Sequence, residues 1–208
     1  DYQRSRGLGD VYKRQMCTDL GISASLSASD LHEQAIAVAE IFYVEGYLSS
    51  SENATEAAQL AHTIAQANRV RTAVSLSDIS MVTIFKDNLQ RILGNGVHTL
   101  FCNEEEALAW ANTDRLDVAI SELKDIAQEV FVTIGARGSV VIDEHGQQQD
   151  SPGLDVTPVD TNGAGDIYAG ACLAARCQGA DAFDAAKFAN HAAAHLITQY
   201  LSLIHISE

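Results

Sequence analysis

Between residues 29 and 142, short apolar runs alternate with longer stretches in which apolar residues recur every three or four positions. The two periods separate strand from helix, because side chains alternate along a strand and return to one face about every 3.6 residues along a helix. The spacing predicts a helix over 29–39, a buried strand over 41–48, a helix over 55–68 and a strand over 72–76. A helix over 84–93 stopped by Gly94 follows, then a strand over 98–102 and helices over 104–110 and 116–128. Beyond this point the pattern shortens. Residues 131–134, 139–142 and 156–159 read as short strands, with DEHG at 143–146 as a hairpin-like turn, and two long alanine-rich helices close the segment. Such alternation predicts an α/β fold, a mainly parallel sheet covered on both faces with a short antiparallel portion toward the C-terminal side. Ligands of sheets of this kind bind at the carboxyl ends of the strands.

The 208 residues, 47% hydrophobic and 20% charged, are enough to bury a full core. A net charge of -15 argues against nucleic acid or anionic lipid as a partner, since both require Lys and Arg to replace counterions. Small molecules are the expected partners; the sequence leaves the oligomeric state open. An anionic ligand has to be held locally, by backbone N–H groups, a metal or a few placed cations. Cys17, Cys102, Cys172 and Cys177 form no CxxC pair and no zinc spacing, so reduced thiols and a cytoplasmic location are expected. No apolar run reaches membrane-spanning length and no signal peptide is visible.

The two ends read differently from the rest. LGDVYKRQ (8–15) and LSLIHISE (201–208) are related through DNA: a segment encoding the first encodes the second when its complementary strand is translated. The relation is that of a sequencing adaptor translated on both sides of a fragment. Residues 1–15 and 201–208 are therefore set aside as non-native tails, and 16–200 is taken as the genuine segment, expected to begin and end in mid-gene.

The densest chemistry lies in VDTNGAGDIYAGACLAA, residues 159–175. Gly163 and Gly165 permit unusual backbone angles, and the helix that follows opens with unpaired N–H groups and a positive dipole end. Gly163, Ala164 and Gly165 thus make an anion hole suited to a phosphate oxygen. Asp166, in the first turn, lies where a carboxylate can take a proton from an attacking hydroxyl; a carboxylate there also simply complements the helix dipole. The Walker A ending is absent, and Tyr168 stands where a dinucleotide fingerprint needs glycine.

PVDTNGAGDIYAG resembles the C-terminal signature of the ribokinase-like carbohydrate and nucleoside kinases, the phosphofructokinase B family. FCNEEEA (101–107), VTIGARGSVV (132–141) and AKFANHAAA (186–194) follow the family order, and MCTDLG (16–21) with YVEGYL (43–48) is similar to the adenosine-kinase-like branch. The resemblance implies a three-layer αβα ribokinase-like fold whose lid and first strands are missing here. It implies an ATP-dependent phosphoryl transfer to a hydroxymethyl group of a nucleoside or sugar, with Asp166 as base and residues 163–165 as anion hole. Asn103 and Glu106 match the family's Asn-x-x-Glu element, which organises Mg2+ and phosphate through water; by spacing alone they also form a capping box. Thr133, Gly135 and Gly138 fall on the nucleotide-binding strand and turn, and Asn190 on the helix beside the base pocket. Asp160 orders the loop or contributes to a monovalent-cation site, such as K+, of the kind many relatives use.

Other residues attract less weight. His191 and His195 are one helical turn apart, but nothing near them completes a ligand set. Cys172 and Cys177 are expected on a core-facing helix side, and Trp110 in the core. Two other readings stay open: a non-catalytic nucleotide-binding remnant of the same fold, and a nicotinamide-dependent oxidoreductase on a similar sheet.

Overall fold

The computed structural model describes residues 25–200; both adaptor-like ends and the MCTDLG stretch lie outside them. Six strands form one sheet in chain order: β1 (Ile41–Glu45), β2 (Arg71–Ser75), β3 (Val97–Asn103), β4 (Ala127–Thr133), β5 (Gly138–Ile142) and β6 (Gln148–Pro152). β1 to β4 are parallel, while β5 and β6 return antiparallel.

Helices α1 (Glu33–Ala37), α2 (Glu52–Ala67), α3 (Ile79–Ile84), α4 (Lys86–Leu93), α5 (Glu104–Trp110) and α6 (Leu116–Leu123) precede or connect the parallel strands, and α7 (Ala164–Cys177) and α8 (Ala182–Ile197) close the chain. Alternation along each strand sorts residues to two cores. Leu100, Cys102, Val130, Val132, Val140 and Ile142 pack with residues of α2 to α6 such as Leu89, Ile92 and Leu123. Phe101, Phe131 and Val141, the residues between them, meet Tyr168, Ala169 and Cys172 of α7 and Ala185 and Ala189 of α8. Helices lie on both faces, so the three-layer αβα architecture is as expected. Phe131 is fully buried and stacks on Phe101 with ring centroids 5.2 Å apart; a buried side chain of this size contributes about 1.5–3 kcal/mol.

Several boundaries differ from the periodicity. The first predicted strand ends at Glu45 because a short 3-10 turn, Gly46–Ser50, begins there. Gly46 passes so close to β2 that an added Cβ would lie 2.7 Å from the carbonyl oxygens of Ser75 and Leu76. The helix expected over 29–39 is a 3-10 turn, Ala28–Asp30, followed by the short α1. The helix expected over 84–93 is two helices: α3 starts early because Asp78 caps it, accepting the Ser80 N–H at 2.8 Å, and α4 ends at Gly94. α6 stops at Leu123, and the residues read as its end enter β4.

The segment 156–159 is not a strand. Val159 is 44% exposed, and its N–H donates to the Ile197 carbonyl at 2.7 Å. The sixth strand is instead the polar Gln148–Pro152, reached through the DEHG turn, where the Asp143 carboxylate accepts the N–H groups of His145 and Gln147. Cys177, expected in the core, is exposed. Five positions beyond the buried Cys172, it has rotated well away from the sheet-facing side. Trp110 is buried, with the Lys86 ammonium 4.8 Å from its ring centroid.

Gly138 opens β5 at φ 100°, and an added Cβ would lie 2.1 Å from the Ser151 carbonyl oxygen. Gly138→Ala should therefore destabilise the fold by about 2–4 kcal/mol through strain and backbone collision. Urea unfolding of both chains checks this, and an unchanged midpoint would contradict it.

Candidate functional site

Gly163 caps α7 in the left-handed region, at φ 73° and ψ 3°. That conformation turns the chain from the loop into the helix and leaves the first amides without helical acceptors. The Ala164 N–H turns back to the Thr161 carbonyl at 3.3 Å, and the Ile167 N–H is the first to bond into the helix start, at Gly163. The amides of Gly163, Gly165 and Asp166 have no acceptor among the described residues. Of residues 163–165, read from the sequence as an anion hole, Gly163 and Gly165 thus present open amides among the described residues, the Ala164 amide turns to Thr161, and Asp166 adds a third open amide. Among the described residues, nothing lies within 4 Å of an added Cβ at Gly165.

These amides edge a cavity of about 330 Å3 at the carboxyl ends of β2, β3 and β4, lined also by Tyr47, Ser75, Asn103, Glu106, Thr133 and Asp166. Asp166 is exposed on the cavity side of the first turn of α7. Across from it, Asn103 ends β3 and caps α5. Its side-chain oxygen accepts the Glu106 N–H at 2.8 Å, and the Glu106 carboxylate accepts the Asn103 N–H at 3.1 Å and its side-chain amide at 2.6 Å. The capping box is formed, and the same two side chains line the cavity.

Of the remaining predicted residues, Gly135, Gly138 and Asn190 do not line this cavity. Asn190 lies buried on α8, donating to the carbonyl and hydroxyl of Ser151 at 3.0 Å each, and so ties the helix to the β5–β6 hairpin. Gly135 has φ 63° with no described residue within 4 Å of an added Cβ, and the turn after it is tied to the start of α5 by the Arg137–Glu104 ion pair at 2.6 Å. Asp160 orders the loop: its carboxylate accepts the Asn162 N–H at 3.1 Å, and its own N–H reaches the Ile197 carbonyl. His191 and His195 are exposed on α8.

Residues 8–206 match the pfkB family of carbohydrate kinases. The chain belongs to that family. It is 31% identical over 189 residues to adenosine kinase of Saccharomyces cerevisiae, an alignment covering 82% of this chain and 53% of that relative. The fold is similar to adenosine kinase from Sinorhizobium meliloti, with a TM-score of 0.80 and 31% identity over 85% of this chain and 54% of that one. An E. coli protein assigned as a ribokinase II, in complex with ATP and Mg2+, superposes with a TM-score of 0.77 and 27% identity over 85% of this chain and 58% of its own. The pfkB chain described here thus spans about half the length of the relatives it matches.

The pfkB cavity is acidic. Burial first, then the Asp78, Asp166, Glu106 and Glu45 carboxylates, raise the Tyr47 phenol. Among the described residues no Lys or Arg lines the cavity, so an anion at the three amides meets no side-chain cation there and a bound cation beside it would balance its charge. Glu106 is the natural focus: burial, aided by Asp78, Glu105 and Glu45 against the opposing Asn103 hydrogen bond, pushes its carboxyl up to about 7. Both of its oxygens are engaged by Asn103, which suits contact with Mg2+ through bound water rather than direct ligation.

Because the folded value lies above the ordinary 4.5, this group's stabilising contribution is complete below 4.5 and is lost as pH rises through about 7. The loss amounts to about 3 kcal/mol. A carboxyl carbon resonance titrating near neutral pH, missing from Glu106→Gln, is the expected result; a Glu106 signal that titrates at ordinary glutamate pH would contradict it.

Sequence reading missed Glu45, Ser75, Ser77 and Tyr47. Glu45 ends β1 and accepts the Tyr43 hydroxyl at 2.5 Å and the Ser77 hydroxyl at 2.7 Å. Ser77 holds φ 69°, unusual for a residue with a side chain. The available signal was position, since each lies at or just beyond the carboxyl end of a parallel strand, where ligands of such sheets gather.

Proposed function

We propose that this chain is the larger C-terminal part of an ATP-dependent kinase that moves the γ-phosphoryl group of ATP to a hydroxymethyl group of a nucleoside or sugar. One observation carries the reading: the three unpaired amides at the start of α7 and the Asp166 carboxylate in its first turn face one cavity. The Asp166 carboxylate accepts the proton of the acceptor hydroxyl as the new O–P bond forms. The amides of Gly163, Gly165 and Asp166 meet charge that grows on the phosphoryl oxygens, where a preformed donor needs no reorganisation. Magnesium, when bound, neutralises phosphate charge, and Asn103 and Glu106 are the residues placed to hold its water shell.

Thr133, Gly135, Gly138 and Asn190 support the nucleotide in this reading, the last two by fixing the β5–β6 hairpin. Asp160, at the loop before α7, is where a monovalent cation such as K+ would act. Adenosine is the first acceptor to test, because adenosine kinases stand among the relatives. The complete reading frame should transfer label from ATP to one of adenosine, ribose or fructose phosphate. Binding of ATP with transfer to none of them would favour the non-catalytic remnant instead.

A further inference from the structure

The described residues include six arginines, four of which meet a carboxylate: Arg91 with Glu52, Arg115 with Asp117, Arg137 with Glu104 and Arg176 with Glu129, all within 2.7 Å. Arg69 and Arg71 have no ion-pair partner among the described residues. Both line the same hollow, about 310 Å3 in volume, together with Gln66, Thr72, His98 and Gln128. Arg71, Val97 and Ala127 begin β2, β3 and β4, so this hollow sits at the amino ends of the parallel strands, at the opposite end of the sheet from Asp166.

In a chain carrying 28 acidic residues against 13 basic ones, two unpaired guanidinium groups on one concavity are not an average outcome of surface charge. Arg69 lies just past the C-terminus of α2 and meets part of that helix's negative end; Arg71 has no helix end to offset. The rim is fixed by backbone: Gln66 donates to the Gly96 carbonyl at 3.1 Å, and the His98 N–H donates to the Thr72 hydroxyl at 3.3 Å. The buried Glu129 carboxylate beside it is engaged by Arg176 and by the Thr99 hydroxyl, with His98 Nδ1 3.7 Å away. His98 sits between these charges: burial, then Arg71 and Arg176, hold it below its ordinary value, opposed by Glu144.

We propose that this hollow is a second, anion-selective site, separate from the Asp166 cavity, that takes a small phosphate-bearing molecule between the Arg69 and Arg71 guanidinium groups. Guanidinium forks match the tetrahedral oxygens of a phosphate and bind it more tightly than a neutral donor does. The volume is at the small end of ligand pockets and suits a compact phosphate ester. The proposal does not depend on the kinase reading.

The test is a titration of the 208-residue chain, with arginine side chains labelled with 15N, using inorganic phosphate and, in a separate arm, malonate. Saturable shifts of the Arg69 and Arg71 Nε–H signals are expected with phosphate, with weaker binding of malonate and no saturable shift at Arg115. Arg69→Ala and Arg71→Gln should each weaken the phosphate binding read at the remaining guanidinium by about tenfold, while Asp166→Asn, which alters the other cavity, leaves the Arg69 and Arg71 shifts unchanged. The Arg176 signal, held by the buried Glu129, reports in the same spectra that each variant is folded. Equal, unsaturating shifts at all exposed arginines would overturn the proposal. So would Arg69 and Arg71 shifts that follow protein concentration rather than phosphate, since those would mean that acidic residues of a second copy meet them.

Discussion

Asn at position 166 should lower turnover of the complete enzyme by about 10²–10⁴-fold, the usual contribution of a placed general base. The KM for ATP should change little, because the three amides proposed to hold the phosphates are backbone groups and survive the substitution. The side chain is exposed at the cavity edge, so its loss should leave the melting temperature nearly unchanged. Initial rates across ATP and acceptor concentrations, beside a thermal melt, separate these effects. A variant that keeps the wild-type rate would remove Asp166 from the chemistry, and one that loses ATP affinity with unchanged turnover would make it a binding group instead.

The second large effect is on stability. Glu129 is 1% exposed and its carboxylate meets Arg176 at 2.5 Å, with Thr99 donating a further hydrogen bond at 3.2 Å. Arg176 also donates to the Ala180 carbonyl at 2.6 Å, in the link between α7 and α8. Burial raises the Glu129 carboxyl and Arg176 opposes that rise. Arg176→Met would leave a buried carboxylate uncompensated, and a loss of about 3–5 kcal/mol is expected. Glu129→Gln in the same background should recover part of it, since the amide carries no charge to strand. Guanidinium unfolding of the wild type, both single variants and the double variant gives the coupling. Additive losses would show that the pair is not what joins the end of α7 to the sheet.

The sheet was legible in the sequence wherever burial set the pattern. β3 and β4 send alternate residues into two cores, and both faces are apolar, so VHTLFCN and the run ending in VFVT stand out. β6 was not legible. QQDSP carries no apolar period because it is an edge strand with one buried residue, and only its pairing with β5 defines it. The opposite error arose at 156–159, where two valines imitate a strand although the segment lies against the end of α8.

In the site, residue types at short spacing were readable: the glycines and Asp166 at a helix start, and Asn103 with Glu106 as a cap. Contributions from distant segments were not. Tyr47, Ser75 and Ser77 line the cavity only because β1 and β2 lie parallel in register, Glu45 beside Ser75. That the Ala164 amide turns back while the Asp166 amide stays open likewise depends on the loop carbonyl of Thr161, which no spacing rule supplies.

The most direct measurement is a structure of the complete enzyme with a non-hydrolysable ATP analogue, Mg2+ and adenosine. The account predicts γ-phosphoryl oxygens within hydrogen-bond distance of the Gly163, Gly165 and Asp166 amides, and the acceptor hydroxyl about 3 Å from the Asp166 carboxylate. Phosphates seated away from the start of α7, or an acceptor beyond the reach of Asp166 even through one water, would contradict it.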